Sequence, residues 1–391
     1  MPKIPFNRPF ATGGELTYIR EAIEGGHLSG NGPFATRCAR WLEQKTGSPR
    51  VLLTQSCTGA LEMAAMLANI GPGDEVVMPS FTFASTANAF VLRGATPVFA
   101  DIHEETLNLD ERQLRSALTS KTKAIVPVHY GAVGCELDEI LELAGEVNAT
   151  VIEDAAQGLF ATYRGRELGS IGTLGALSFH ETKNVISGEG GALLINDPGL
   201  IERAQIIYEK GTDRARFSRG EVDKYTWVDI GGSYPPSELI AAFLWAQLEQ
   251  AEEITTRRLA TWRRYHEAFL DAEQSGLLRR PIVPGERTHN AHMYYVVLPA
   301  GRSAERVIRD LAGHGVQALF HYVPLHSSVA GRRYGRPVGE LPVTDSISGR
   351  ILRLPLWVGM SAEQIESVVA ATVAVVATEA RRSAPSTRRV R

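Results

Sequence analysis

The runs Val151-Ile152-Glu153-Asp154-Ala155-Ala156-Gln157 and Ser178-Phe179-His180-Glu181-Thr182-Lys183-Asn184 decide how this chain folds. Each begins as the apolar end of a β-rich segment and finishes in residues able to do chemistry. Outward from them, β-rich segments recur at Val51–Thr54, Glu75–Pro79, Pro97–Asp101, Ala124–Val128, Thr150–Glu153, Ala176–Phe179 and Ala192–Ile195. Helix-period stretches at Gly59–Leu67, Thr82–Leu92, Glu111–Leu118 and Leu137–Glu146 lie between most of them. Strands apolar on both faces, separated by helices, belong in a largely parallel sheet covered on both sides. The predicted class is therefore α/β: a large domain over residues 1–250 with a mostly parallel, seven-stranded sheet. The helix Pro236–Gln250 and the charged stretch Glu252–Ala272 lead away from it. A smaller C-terminal α+β domain is predicted over 251–380, with a strand at Tyr294–Leu298, a helix at Ala304–His314, an irregular segment around His321–His326 and a last helix from Ala362. Residues 381–391 are rich in Arg, Ser and Pro and read as a disordered basic tail.

Composition narrows the class. The 391 residues are 44% hydrophobic and 22% charged, with a formal net charge of −3, which excludes a disordered chain. The 37 Gly and 20 Pro follow no period, so a fibrous repeat is excluded. With 41 Lys+Arg against 44 Asp+Glu, no basic balance points to nucleic acid. Cys38, Cys57 and Cys135 are too scattered for a disulfide framework, and no CxxC pair suggests zinc, so no metal is expected. The apolar run Val368–Ala377 is about half the length a bilayer needs, and no signal-like stretch opens the chain. The expectation is a reduced, cytoplasmic protein without a membrane partner. Seven of the 41 basic residues are lysine, which makes each lysine informative.

In an open α/β sheet, ligands sit beyond the carboxyl ends of the strands. Unusual residues collect there. Ser56-Cys57-Thr58-Gly59 opens a helix, where free backbone N–H groups form either an ordinary N-cap or a phosphate seat. Asp154 ends an apolar strand, and a carboxylate there needs a partner. That partner is a metal, the next helix turn, or the protonated ring nitrogen of a pyridine cofactor. At about 4 Å the last pairing is worth about 4 kcal/mol at an effective dielectric of 20. Lys183 follows 29 residues later, either as a solvated loop lysine or as a Schiff-base nucleophile. The run Gly188-Glu189-Gly190-Gly191 marks a close backbone approach or a hairpin turn. A phosphate seat, a strand-end Asp and a later strand-end Lys together meet the requirements of pyridoxal 5′-phosphate.

These runs, with Pro79-Ser80-Phe81-Thr82-Phe83, resemble the DegT/DnrJ/EryC1/StrS sugar aminotransferases from about Ile4 to Val369. The resemblance implies a pyridoxal phosphate-dependent transferase of fold type I, the aspartate-aminotransferase architecture. It implies that Lys183 bonds the cofactor and shuttles a proton, that Asp154 holds the pyridine nitrogen, and that Phe83 and Ala156 flank the ring. Gln157 would reach the phenolic oxygen, while Thr58, Gly59 and Ser178 would hold the phosphate. His326 would lie near the bound sugar. Many relatives have Asn-Tyr-Arg-Met where this chain has Ser233-Tyr234-Pro235-Pro236, and their Asn reaches the neighbour's cofactor across a homodimer with shared active sites. Here Ser233 would take that place.

Relatives that dehydrate carry His where Lys183 stands, so transamination is implied. The runs Tyr208–Arg214 and Val222–Tyr234 are similar to the branch that aminates C4 of dTDP-4-keto-6-deoxy-D-glucose with L-glutamate as donor, for cell-surface glycans or antibiotic sugars. Arg214, Arg219 and Lys224 are candidates for the donor carboxylate or the diphosphate. Two alternatives stand beside this: an aminotransferase acting at C3 or on a UDP- or GDP-linked sugar, and a non-catalytic regulatory protein binding the cofactor or nucleotide sugar. A nicotinamide enzyme is disfavoured because no GxGxxG follows the first strand.

Overall fold

The computed structural model describes residues 3–383. Its main sheet takes seven strands from the first half of the chain. They are β1 (Arg50–Thr54), β2 (Glu75–Pro79), β3 (Thr96–Ala100), β4 (Thr122–Ile125), β5 (Thr150–Asp154), β6 (Leu174–Ser178) and β7 (Gly191–Ile195). The order is β1-β7-β6-β5-β4-β2-β3, and β7 alone runs against the others. An eighth strand extends the expected seven: Arg336–Pro337, from far down the chain, pairs parallel with β3 at the sheet's edge. Two residues are too few for a periodic pattern, so sequence carried no sign of it.

Successive strand residues point into opposite layers, as the pleat requires. Val77, Val98, Ile125, Val151 and Leu194 enter one core, with Phe34, Leu42, Ile140 and Leu248 from the helices on that face. Met78, Phe99, Ala124, Ile152 and Leu193 enter the other, with Leu61, Met63, Phe90 and Ile207. This double burial explains the near-continuous apolar runs of β5, β6 and β7. Their carboxyl ends are left as the places where polar chemistry can stand.

Beyond residue 250 the helix Ala251–Ala268 leads to a two-stranded antiparallel ribbon, Tyr294–Val297 with Ile351–Leu354. Trp262, Tyr265, Phe269, Tyr294, Leu352 and Val376 form its core. Ile4 joins that core, and its N–H donates to Gly315 O at 2.8 Å, so the start of the chain docks on the C-terminal part. The last helix is Ala362–Ser383. It absorbs the first residues of the expected tail, and Arg382 pairs with Asp310 at 3.0 Å. Residues 384–391 of that tail lie outside the described residues. Among the described residues no helix is long and apolar enough to cross a membrane.

Candidate active site

The carboxyl ends of β5 and β6, the start of the helix Cys57–Leu67 and a wall from the C-terminal part enclose a cleft of about 550 Å³. Lys183, Asp154, Thr58, Phe83, Ala156, Gln157 and Ser178 all line it. Seven of the sequence-predicted residues therefore meet in one place, although they come from four separate strand ends.

Each is held by local structure. Asp154 is the last residue of β5, and its Oδ2 accepts the Thr86 hydroxyl at 2.7 Å while Thr82 bonds Thr86 at 2.8 Å. Ala156 N–H donates to Oδ1 at 3.2 Å. The neighbouring Glu153 points the other way, because side chains alternate. It accepts His129 Nε2 at 2.9 Å and the N–H groups of Gly169, Ile171 and Gly172 at 2.6–2.8 Å. Burial acts to raise the Glu153 pKa, yet the His129 bond and these amides hold it below the ordinary glutamate value. Gln157 Oε1 accepts Gly131 N–H at 2.7 Å, which turns its NH₂ toward the cleft and Tyr322.

Lys183 sits in the tight return from β6 to β7. Its own N–H donates to His180 O at 2.8 Å, and Glu181 N–H donates to Gly188 O at 2.8 Å, with Gly188 at φ +80°. Burial lowers the Lys183 pKa below 10.5; the charge of Arg353 acts the same way, against Cys57 and Asp154. The amine is thus closer to its nucleophilic neutral form than a solvated lysine is. Burial, with the charge of Asp154, pushes the Cys57 thiol well up, so that cysteine is inert.

The helix start fits a phosphate in part as expected and in part differently. Ser56 caps the helix by accepting Gly59 N–H at 3.1 Å. Gly59 is buried, and its amide donates to the Ser56 cap rather than into the cleft. The early amides at Cys57 and Thr58 and the Thr58 hydroxyl, now bonded to Ser85 at 2.8 Å, remain as donors. Gly191 packs flush against this turn: a Cβ there would lie 2.4 Å from Cys57 N. This glycine keeps the anion seat open from behind.

Other predicted residues lie elsewhere. His326 does not line the cleft: its Nδ1 bonds Ser80 Oγ at 2.7 Å and its Nε2 lies 3.3 Å from Asp345. Both ring nitrogens are engaged at the end of β2. The cleft positions belong instead to His321 and Tyr322, from the same irregular segment. Arg214, Arg219 and Lys224 are exposed on the segment after Asp213 and line no part of the cleft; Arg219 pairs with Glu221 at 2.5 Å. Ser233 is likewise exposed and outside it. One group of metal-competent donors occurs among the described residues, His103, Asp110 and Glu111, but it bonds internally and to Arg112.

Sequence reading missed His292, His321, Tyr322, Arg258 and Arg353, which complete the C-terminal wall. Arg353 carried a signal: a lone charge in the apolar strand Ile351-Leu352-Arg353-Leu354, the same sign that marked Asp154. Burial brings the Arg258 pKa down to about 9, and its guanidinium donates to Ala291 O and His292 O. Burial holds His292 and His321 well below 6.5, so both are neutral at physiological pH.

The chain matches the family model described as the DegT/DnrJ/EryC1/StrS aminotransferase family over residues 11–373. The spore coat polysaccharide biosynthesis protein SpsC of Bacillus subtilis is 33% identical over 381 residues, covering 95% of this chain and 97% of that protein. GDP-perosamine synthase of Caulobacter vibrioides is 32% identical over 376 residues, covering 95% and 98%. Among solved structures, the PMP form of the sugar aminotransferase Spr1654 of Streptococcus pneumoniae superposes with a TM-score of 0.88 at 25% identity, covering 97% and 99%. A half-buried lysine sharing a cleft with a strand-end aspartate beside a helix-start anion seat is what such a cofactor requires, and this chain belongs to the DegT/DnrJ/EryC1/StrS aminotransferase family of pyridoxal phosphate-dependent sugar aminotransferases.

Proposed function

We propose that the enzyme moves the amino group of L-glutamate to C4 of dTDP-4-keto-6-deoxy-D-glucose, giving a dTDP-4-amino-4,6-dideoxyhexose. The observation that carries the reaction class is the shared cleft of Lys183 and Asp154, with the lysine's pKa lowered by burial. The bound cofactor supplies an electron sink for the carbon that loses or gains a proton. Asp154 holds the ring nitrogen in its protonated form, and Thr86 fixes the carboxylate for that contact. The amides of Cys57 and Thr58, with the Thr58 and Ser178 hydroxyls, anchor the phosphate, and Phe83 and Ala156 flank the ring. Gln157 donates its amide toward the phenolic oxygen. With the cofactor as carrier of the amino group between glutamate and the sugar, Lys183 Nζ would take the α-proton from the donor and return a proton to C4 of the acceptor.

We further propose a homodimer. Phe217, Tyr225, Trp227, Val228 and Ile230 expose apolar surface on one projecting segment, and Trp227 is 79% exposed. An apolar patch of that kind marks an association surface. Ser233, next to it, would then serve the partner's phosphate seat.

The dTDP sugar rests on the similarity of Tyr208–Arg214 and Val222–Tyr234 to one branch of the family. The likeness to GDP-perosamine synthase supports a second reading, a GDP-linked ketosugar in the same cleft. Incubation with glutamate and a panel of dTDP-, UDP- and GDP-linked 4- and 3-ketosugars tests both. A dTDP-4-amino product, whose H3–H4 NMR coupling reads the C4 configuration, is expected. A turnover confined to GDP- or UDP-sugars, or amination at C3, overturns the dTDP-4-keto assignment.

A further inference from the structure

Tyr130 is buried behind the cleft among aromatic rings: Phe81, Tyr295 and Tyr322 lie 5.2, 5.7 and 6.2 Å from it, between centroids. A phenol hydroxyl taken out of water needs an acceptor for its proton. Among the described residues its hydrogen-bond partner is His321 Nδ1, at 3.0 Å. Two arrangements fit that distance. If Nδ1–H donated to the phenol oxygen, the phenol proton would be buried without an acceptor, at a cost of about 1–3 kcal/mol. If the phenol donates to Nδ1, both groups are satisfied. A charged ring is disfavoured by its surroundings: burial, Arg353, His292 and Lys183 all hold the His321 pKa well below 6.5. The ring is therefore neutral, with its proton on Nε2. His321 lines the cleft with Lys183, Asp154 and Tyr322, and among the described residues no group accepts from its Nε2.

We infer that Tyr130 is a positioning residue that fixes His321 as the Nε2–H tautomer, and that this N–H donates to the oxygen on C4 of the ketosugar. This rests on the aminotransferase reading above and adds to it a contact with the acceptor. Lys183 must reach the reacting carbon, so the oxygen on that carbon enters the part of the cleft that His321 lines with it. A neutral donor suits that oxygen. It polarises the carbonyl bond, and unlike an imidazolium it does not hand a proton to the amine that must attack. It also adds no further positive charge beside Arg353. In the other tautomer Nε2 would face the same oxygen with a lone pair and repel it. The buried phenol thus decides whether the histidine helps the sugar or hinders it, although Tyr130 itself lines no part of the cleft.

The test uses the cofactor-loaded enzyme, with its histidines labelled with nitrogen-15, as wild type, Tyr130→Phe, His321→Gln and His321→Phe. The ring signals lost in His321→Gln assign His321 in the NMR spectrum. In the wild type at pH 7 Nε2 should carry the proton and Nδ1 should be bare. Tyr130→Phe removes one oxygen and keeps the ring packing, and there the two tautomers should mix. The second readout is calorimetric titration with dTDP-6-deoxy-D-glucose, which has a hydroxyl group at C4 and does not react. Its affinity should fall about two- to tenfold in Tyr130→Phe and His321→Phe. His321→Gln, which keeps an N–H donor, should recover part of that loss, and it serves if His321→Phe folds poorly. The glutamate concentration for half-saturation should change less than about threefold in Tyr130→Phe. A wild-type ring that is charged or protonated on Nδ1, a spectrum that Tyr130→Phe leaves unchanged, or an analogue affinity equal in all four proteins overturns the inference. An enzyme that turns over only a GDP- or UDP-linked ketosugar sinks the dTDP assignment instead. The titration then takes the C4-hydroxyl analogue of that sugar, and the spectra still judge Tyr130.

Discussion

Burial sets the chemistry of Lys183 more than any single neighbour does. Because its pKa is lowered, the neutral amine gains population as pH rises toward a value below 10.5. The rate at which cofactor-free protein combines with pyridoxal phosphate is expected to level off below that pH, and replacing Arg353 by Met moves the inflection upward. An inflection at 10.5 or above in the wild type contradicts the placement of the amine in a closed cleft. Asp154 acts through its charge. Asp154→Asn keeps the shape and the Thr86 contact and removes about 4 kcal/mol of attraction to the ring nitrogen, so kcat should fall by about a thousandfold. A kcat within tenfold of wild type in steady-state assays would mean that the ring nitrogen lies elsewhere.

Strand ends are the elements that make the site, and they were also the most legible part of the sequence. Asp154 and Lys183 stood out because β5 and β6 are buried on both faces, so a charge at their ends had no solvent to explain it. The same logic applied to Arg353 in Ile351–Leu354, but that strand lies outside the alternating βα pattern and escaped notice. His326 stands outside the cleft lining for a different reason. Proximity in sequence to His321 and Tyr322 says nothing of which side chain turns inward, and Ser80 at the end of β2 draws His326 away. The exposed segment after Asp213 carried no periodicity to place Arg214, Arg219 and Lys224. Glu153 shows how an element is held: it ties β5 to the turn at Gly169–Gly172 and to His129. Glu153→Ala leaves His129 buried without its partner and should cost about 3–5 kcal/mol in urea unfolding. A loss below about 1 kcal/mol would mean that His129 finds another partner or becomes solvated.

At the scale of the whole molecule, two properties follow from the surface and the C-terminal core. If the segment bearing Tyr225 and Trp227 is the dimer contact, the double substitution Tyr225→Asp, Trp227→Asp should shift the sedimentation coefficient to that of a monomer and weaken cofactor retention. A dimer that persists places the contact elsewhere. Acid stability is set in part by His289, whose ring lies 4.3 Å from Trp262 and whose pKa burial lowers to about 4, with help from Arg263 and His266. Between 6.5 and that value the unfolded chain takes a proton that the folded one refuses, so stability is full above pH 6.5 and falls as pH drops. In His289→Asn the fall from pH 7 to 5, measured by urea unfolding, should be shallower by on the order of 1–2 kcal/mol. An equal slope in both proteins would show that His289 titrates alike folded and unfolded. The most direct test of the account reduces the pyridoxal phosphate-loaded enzyme with borohydride and maps the modified peptide by mass spectrometry. The cofactor's mass should be found on Lys183. Its attachment to another lysine, or its absence from an enzyme that still transaminates, would contradict the account.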